Sequence, residues 1–199
     1  QNIWFIDSVE RKMTSKESLD SLVVKAVGKN IDSLDICLEI WSESKQIYTE
    51  SWKSVYYFQY DGPYQDLKED FKRQRILNNL NKIFSEEAFS VFDYPQLEKW
   101  PYESDDELYE SFEIINWYSN YYYYYDSLKV SGESGEQLEV EARKYAHKED
   151  RPRPETLSLW NSLSKIKPMT FTFFSGGEYM RTIVWDYERR MFVIIWECC

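Results

Sequence analysis

The chain has 199 residues, 43% of them hydrophobic and 18% aromatic, with 35 carboxylates against 24 lysines and arginines and a net charge of -11. A chain of this length buries roughly 70% of its unfolded surface without covalent staples, and its aromatic content excludes intrinsic disorder despite the charge. A pI near 4.7 repels phosphate backbones and anionic lipid surfaces, so neither nucleic acid nor membrane is an expected partner.

In chain order, Asn2 to Ile6 reads as a short apolar strand. Thr14 with Glu17 forms a capping-box pattern, and Leu19, Leu22, Val23 and Ala26 share one helical face before Gly28, which predicts a helix from Ser15 to Val27. Leu34, Ile36, Leu38 and Ile40 alternate with Asp35, Cys37 and Glu39, the period of a half-buried strand. A second strand is expected over Lys53 to Tyr60, stopped by Asp61-Gly62-Pro63, and the two should pair as a hairpin. Leu67, Phe71, Gln74, Leu77, Leu80 and Phe84 recur at helical spacing, predicting an amphipathic helix to about Ile83 with Lys68, Glu69, Lys72, Arg73 and Arg75 outward. Ala88 to Phe92 reads as a strand or an irregular apolar link.

Ser104 with Glu107 is a second capping-box pattern, and Leu108, Phe112, Ile115 and Tyr118 continue a helical stripe. Tyr121 to Tyr125 have no period of their own and either extend that helix or begin a strand; five consecutive rings cannot all point inward. A polar break at Ser131-Gly132-Glu133-Ser134-Gly135 precedes a helix over Glu136 to His147, and Pro154 suits the first turn of another through Leu157, Trp160, Leu163 and Ile166. Met169 to Phe174, Glu178 to Trp185 and Arg190 to Trp196 are β-rich runs separated by turn residues. The expected class is α+β: a mixed or antiparallel sheet with a C-terminal three-stranded meander, covered on one face by helices, in a single domain over 1–199.

Signatures of chemistry are few. The single histidine, His147, sits at the basic end of a predicted helix, where its charge suits the dipole. Cys37, Cys198 and Cys199 give no zinc-ligand spacing; Cys37 reads as an inert buried thiol and the vicinal pair as too strained for a mutual disulfide. No phosphate-binding glycine loop is present, and no cofactor is expected. Sparse cysteine favours a reducing compartment, the cytoplasm, while a chain beginning at Gln1 is also compatible with a removed signal peptide and a periplasmic location. Arg143 to Arg153, with Lys144, Lys148 and Arg151, reads as a solvated helix end. Trp4, Trp41, Trp52, Trp160, Trp185 and Trp196 lie in periodic elements and are expected in the core.

The segment from Tyr102 to Tyr125 carries carboxylates and aromatic rings with no basic residue. Its acids near the helix start satisfy the dipole, which accounts for them structurally. Read functionally, clustered carboxylates with tyrosine contact area form a surface for a basic protein partner. The residues expected to carry it are Asp105, Asp106, Glu107, Tyr109, Glu110, Glu113, Tyr121, Tyr122 and Tyr123. An acidic immunity protein that neutralises a nuclease-like bacterial toxin fits that description, since such toxins carry cationic clefts. The alternatives are a metal-dependent hydrolase built on Asp105, Asp106 and Glu110, a glycosidase with two separated acids, or a carbohydrate-binding module using exposed rings. Composition defines no oligomeric state.

Overall fold

Alternation of apolar and polar side chains governs the first quarter of the chain. The computed structural model describes residues 2–99, 106–146, 153–175 and 179–198, with backbone alone for Tyr64 and for 106–108. Strands β1 (Ile3–Arg11), β2 (Asp20–Val27), β3 (Asp35–Ser42) and β4 (Lys45–Lys53) form an antiparallel sheet in that order. Leu22, Val24 and Ala26 of β2 stand opposite Ile40, Leu38 and Ile36 of β3, and all six are fully buried. Ile36 in turn faces Trp52 of β4. The other face carries Lys25, which pairs with Glu39 at 2.8 Å. Glu43 and Ser44 both take the left-handed conformation between β3 and β4, as a two-residue turn between twisted strands requires.

The helix expected over Ser15 to Val27 is absent, and β2 occupies its second half. Asp20 decides this. Fully buried, its carboxylate accepts the backbone N–H groups of Met13 and Thr14 at 2.9 and 2.7 Å and the Thr14 hydroxyl at 2.8 Å. The hydroxyl that would cap a helix is thereby committed to the turn before the strand. A second correction concerns Lys53 to Tyr60: the strand ends at Lys53, and Ser54–Tyr57 is a 3-10 turn. Ser54 Oγ fixes that turn by donating to the Ile31 carbonyl at 2.6 Å and accepting the Leu34 N–H at 3.0 Å. The hairpin survives with β4 beginning earlier than the sequence suggests.

Helix α1 (Glu69–Leu80) turns Lys72, Ile76 and Leu80 inward, while Phe71 is exposed. Lys72, expected outside, is buried because its ammonium meets Asp32 at 2.8 Å and lies 5.5 Å from the Phe58 ring. Three more helices follow, α2 (Asp106–Val130), α3 (Glu136–Ala146) and α4 (Pro154–Ile166). The second sheet has the order β5 (Phe89–Val91), β6 (Met169–Phe174), β7 (Met180–Asp186) and β8 (Met191–Cys198), the last three forming the expected C-terminal meander. The class is α+β, with the strands divided between two sheets.

Backbone contacts group the chain into two units. The first comprises Gln1–Val91, Pro168–Phe192 and Glu197–Cys199. Phe171 lies at the centre of its aromatic core, with Phe89, Phe173 and Phe84 at 5.0, 5.2 and 6.0 Å between ring centroids. Trp52 stacks on Phe173 at 6.3 Å, bringing β4 against β6. The second unit comprises Phe92–Lys167 and Val193–Trp196. Its core is Trp160 on α4, ringed by Tyr94, Phe92 and Phe112 at 5.2, 5.3 and 5.4 Å. The Trp160 indole N–H donates to the Pro95 carbonyl at 2.8 Å, and the Asn161 amide clamps Leu97, accepting its N–H at 2.7 Å and donating to its carbonyl at 2.8 Å. Trp52, Trp160 and Trp185 are buried; Trp4, Trp41 and Trp196 are only half-buried, and Trp4 is covered by the Arg73 guanidinium at 5.6 Å. Cys37 is likewise half-buried, its sulfur 3.6 Å from Thr49 Oγ1, so it is less enclosed than its apolar neighbours implied.

Asp20→Ala should lower the unfolding free energy by about 2–4 kcal/mol, because it leaves buried donors unmet. Glu17→Ala, at an exposed position that the capping-box reading made important, should change it by less than about 0.5 kcal/mol. Urea midpoints of the two variants check the assignment.

Candidate partner-binding surface

Helix α2 collects the expected interface residues on one element. Its inward arc is Ser111, Phe112, Ile115, Asn116, Ser119 and Asn120, all buried, so four of the six are polar. Asn116 Oδ1 accepts the Thr156 hydroxyl of α4 at 2.9 Å. The helix ends in a Schellman motif: the Glu133 N–H reaches the Leu128 carbonyl, the Gly132 N–H reaches that of Lys129, and Gly132 sits at φ +94°. The Tyr121 to Tyr125 run therefore extends the helix.

Successive helix positions turn by about 100°, which separates the expected residues onto different faces. Glu110, Glu113, Trp117, Tyr121 and Tyr124 follow one another at three- and four-residue steps and share a stripe. Glu110 and Glu113 are exposed. Trp117 and Tyr121 stack at 5.7 Å with an interplanar angle of 11°. Tyr122 continues the row of Ser111, Ile115 and Tyr118, and Tyr123 that of Phe112, Asn116 and Ser119. Tyr109 is half-buried. Asp106 and Glu107 lie in the first turn of α2, described by backbone alone; Asp105 and His147 lie outside the described residues.

The tyrosine run is largely engaged by the chain itself. The Arg143 guanidinium of α3 lies 6.0 Å from the Tyr121 ring. Arg153 sits 3.8 Å from the ring of Tyr123 and 4.8 Å from that of Tyr124, and donates to the Tyr124 hydroxyl at 2.6 Å. Tyr145 of α3 stacks on Tyr124 at 5.2 Å. The basic segment read as a solvated helix end thus supplies two guanidinium groups to phenol faces. Alternation of a basic and an aromatic-rich helical segment was the available signal, but nothing in spacing assigns which cation meets which ring. Tyr123 keeps 43% of its surface exposed.

Burial raises the Tyr122 phenol to about 12, with Tyr121 and Tyr125 adding to the effect. Tyr121 is also raised, by burial first and then by Glu139, against the opposing Arg143. These are the shifts of enclosed neutral phenols, with no nucleophile or acid-base pair among them. Among the described residues, no three His, Cys, Asp or Glu side chains converge where a metal ion could sit, and no helix is long and apolar enough to cross a membrane. The chain matches no protein-family model, no curated protein and no solved structure.

Raised phenol pKa values make folding pH-dependent in the alkaline range. The unfolded tyrosine loses its proton near its ordinary pKa of about 10 while folded Tyr122 keeps it, so the unfolded state binds fewer protons between about 10 and 12. Stability should be level below that window and fall as pH rises through it. Tyr122→Phe should reduce the fall, measured as thermal midpoint against pH, and ultraviolet titration should lose a late-ionising phenol.

Proposed function

We propose that the chain is an acidic inhibitor that binds and neutralises a basic protein partner, as an immunity protein neutralises a nuclease toxin. The observation that carries this reading is the state of Glu110 and Glu113. Both are exposed, one turn apart on α2, and neither joins an ion pair among the described residues. Some carboxylates elsewhere have their own cations, as Glu39 has Lys25, Asp61 has Arg75 and Asp186 has Arg189, and Asp126, like Glu110 and Glu113, joins no ion pair among the described residues. An unpaired carboxylate cluster projects a field that a neutralised pair does not, and such a field speeds encounter with a cationic cleft. Trp117 and Tyr121 lie further along the same stripe, while exposed Tyr123 stands on another face of α2. Asp105, Asp106, Glu107, Tyr109 and Tyr122 complete the proposed set, with Asp106 and Glu107 at the acidic start of the helix. The encounter belongs in the cytoplasm, where a nuclease toxin attacks nucleic acid.

The test is affinity capture from the native host, followed by a nuclease assay on the retained protein. A basic nuclease inhibited at stoichiometric ratio by the wild-type chain supports the reading. Glu110→Lys with Glu113→Lys should then slow association roughly tenfold or more at low salt, with the thermal midpoint nearly unchanged. Capture of no basic protein, or inhibition indifferent to both substitutions, would overturn it.

A further inference from the structure

The tyrosines that the chain leaves open to solvent on one groove belong to the first unit. A groove of about 790 Å³ runs beside the end of β4, the turn that follows it and the β6–β7 hairpin. Its walls carry Tyr56, Tyr60 and Tyr179, exposed by 42%, 68% and 51%. None of the three makes a side-chain hydrogen bond, ring contact or cation contact among the described residues. They contrast with Tyr121 and Tyr124, whose rings meet Arg143 and Arg153.

The cations of this groove are already paired. Glu50 accepts the Tyr48 hydroxyl at 2.6 Å on one oxygen and Arg181 Nη1 at 2.5 Å on the other. Arg181 Nε donates to Glu197 at 2.7 Å, and Lys53 pairs with Asp35 at 2.5 Å. An anionic ligand gains little from these paired groups, because both cations already hold carboxylates, and a cationic one finds only carboxylates that already share a guanidinium or an ammonium. What they offer instead are donors and acceptors held in fixed orientation beside exposed rings. The volume lies within the range of roughly 300–1,000 Å³ in which small ligands are held.

We infer that this groove binds a short neutral oligosaccharide. The C–H faces of sugar rings lie against Tyr60 and Tyr179, burying apolar area that is now wet. Hydroxyl groups replace water on the Glu50–Arg181 pair, on Gln59 and on the open phenol oxygens, and fixed polar partners of this kind set orientation. A proline-rich peptide also docks on aromatic grooves, but there the walls are mainly rings. Here seven of the eleven lining residues are polar or charged and four are aromatic, the mixture suited to a ligand bearing many hydroxyls on a carbon frame. The inference concerns a different unit from α2 and stands apart from the acidic-inhibitor reading.

The experiment is affinity electrophoresis and calorimetry of the whole chain against soluble mixed-linkage β-glucan, xylan, mannan and chito-oligosaccharides, with heparin and a proline-rich peptide alongside. Retention by at least one neutral glycan, little changed between 50 and 500 mM salt, is the expected result. Tyr60→Ala with Tyr179→Ala should weaken it about tenfold or more, with the thermal midpoint held because both rings are exposed. Gln59→Ala alone supplies a second, milder variant with an intermediate loss. Retention of no neutral glycan, retention indifferent to these substitutions, or preference for heparin or the peptide would overturn the proposal.

Discussion

Every aromatic ring must be covered by carbon, by a cation or by water, and with 18% aromatic residues that choice organises this protein. Phe171 and Trp160 are covered by other rings and become the centres of the two cores. Phe58, Phe89 and Tyr123 take a lysine or arginine, at 5.5, 4.7 and 3.8 Å. Arg11 illustrates the economy of the second solution, lying over Phe89 while pairing with Glu86 at 2.9 Å. Tyr56, Tyr60 and Tyr179 are left to water, and a ring left to water beside ordered polar groups is where a ligand recovers the most apolar burial.

The elements legible in the sequence are those whose determinants are local. Pro154 opens α4 and its apolar residues recur at helical spacing, so position and face both follow. The C-terminal meander is equally plain, since three β-rich runs are separated by turn residues and Asp186 binds the Glu188 and Arg189 N–H groups in the last turn. Residues 19–27 are ambiguous because Leu22 and Ala26 suit both a helical stripe and an alternating strand; Val24 settles the matter by lying on the same buried face. That burial, with three hydrogen bonds to Asp20, belongs to tertiary structure. The rotated face of α1, with Leu80 still inward and Arg73 and Arg75 still outward, has the same origin: Lys72 enters the interior because Asp32, forty positions earlier, waits there. Spacing within a helix cannot report a partner so distant.

The candidate surface was legible by halves. That Glu110 and Glu113 project outward follows from helical geometry once Phe112 and Ile115 are assigned inward. That Tyr121 and Tyr124 are spoken for does not, because Arg143 and Arg153 arrive from separate parts of the second unit. Acid and phenol therefore do not act together as one uncovered patch: Glu110 and Glu113 join no ion pair among the described residues, while most of the phenol faces of α2 are engaged.

The two surfaces differ in the range of force they exert. Carboxylates without counter-ions act over about a Debye length, roughly 10 Å at 0.1 M salt, and so influence approach before contact. In the Glu50–Arg181–Glu197 arrangement one guanidinium is shared by two carboxylates, which leaves a single, partly compensated negative charge, and its directed hydrogen bonds count for more than its reach. The groove has Lys53 and Arg181 among its lining residues, and Arg181 binds two carboxylates with one guanidinium, while no lysine or arginine pairs with Glu110 or Glu113 among the described residues. The uneven distribution of 24 basic side chains among 35 acids thus separates a long-range electrostatic surface from a short-range, direction-dependent one.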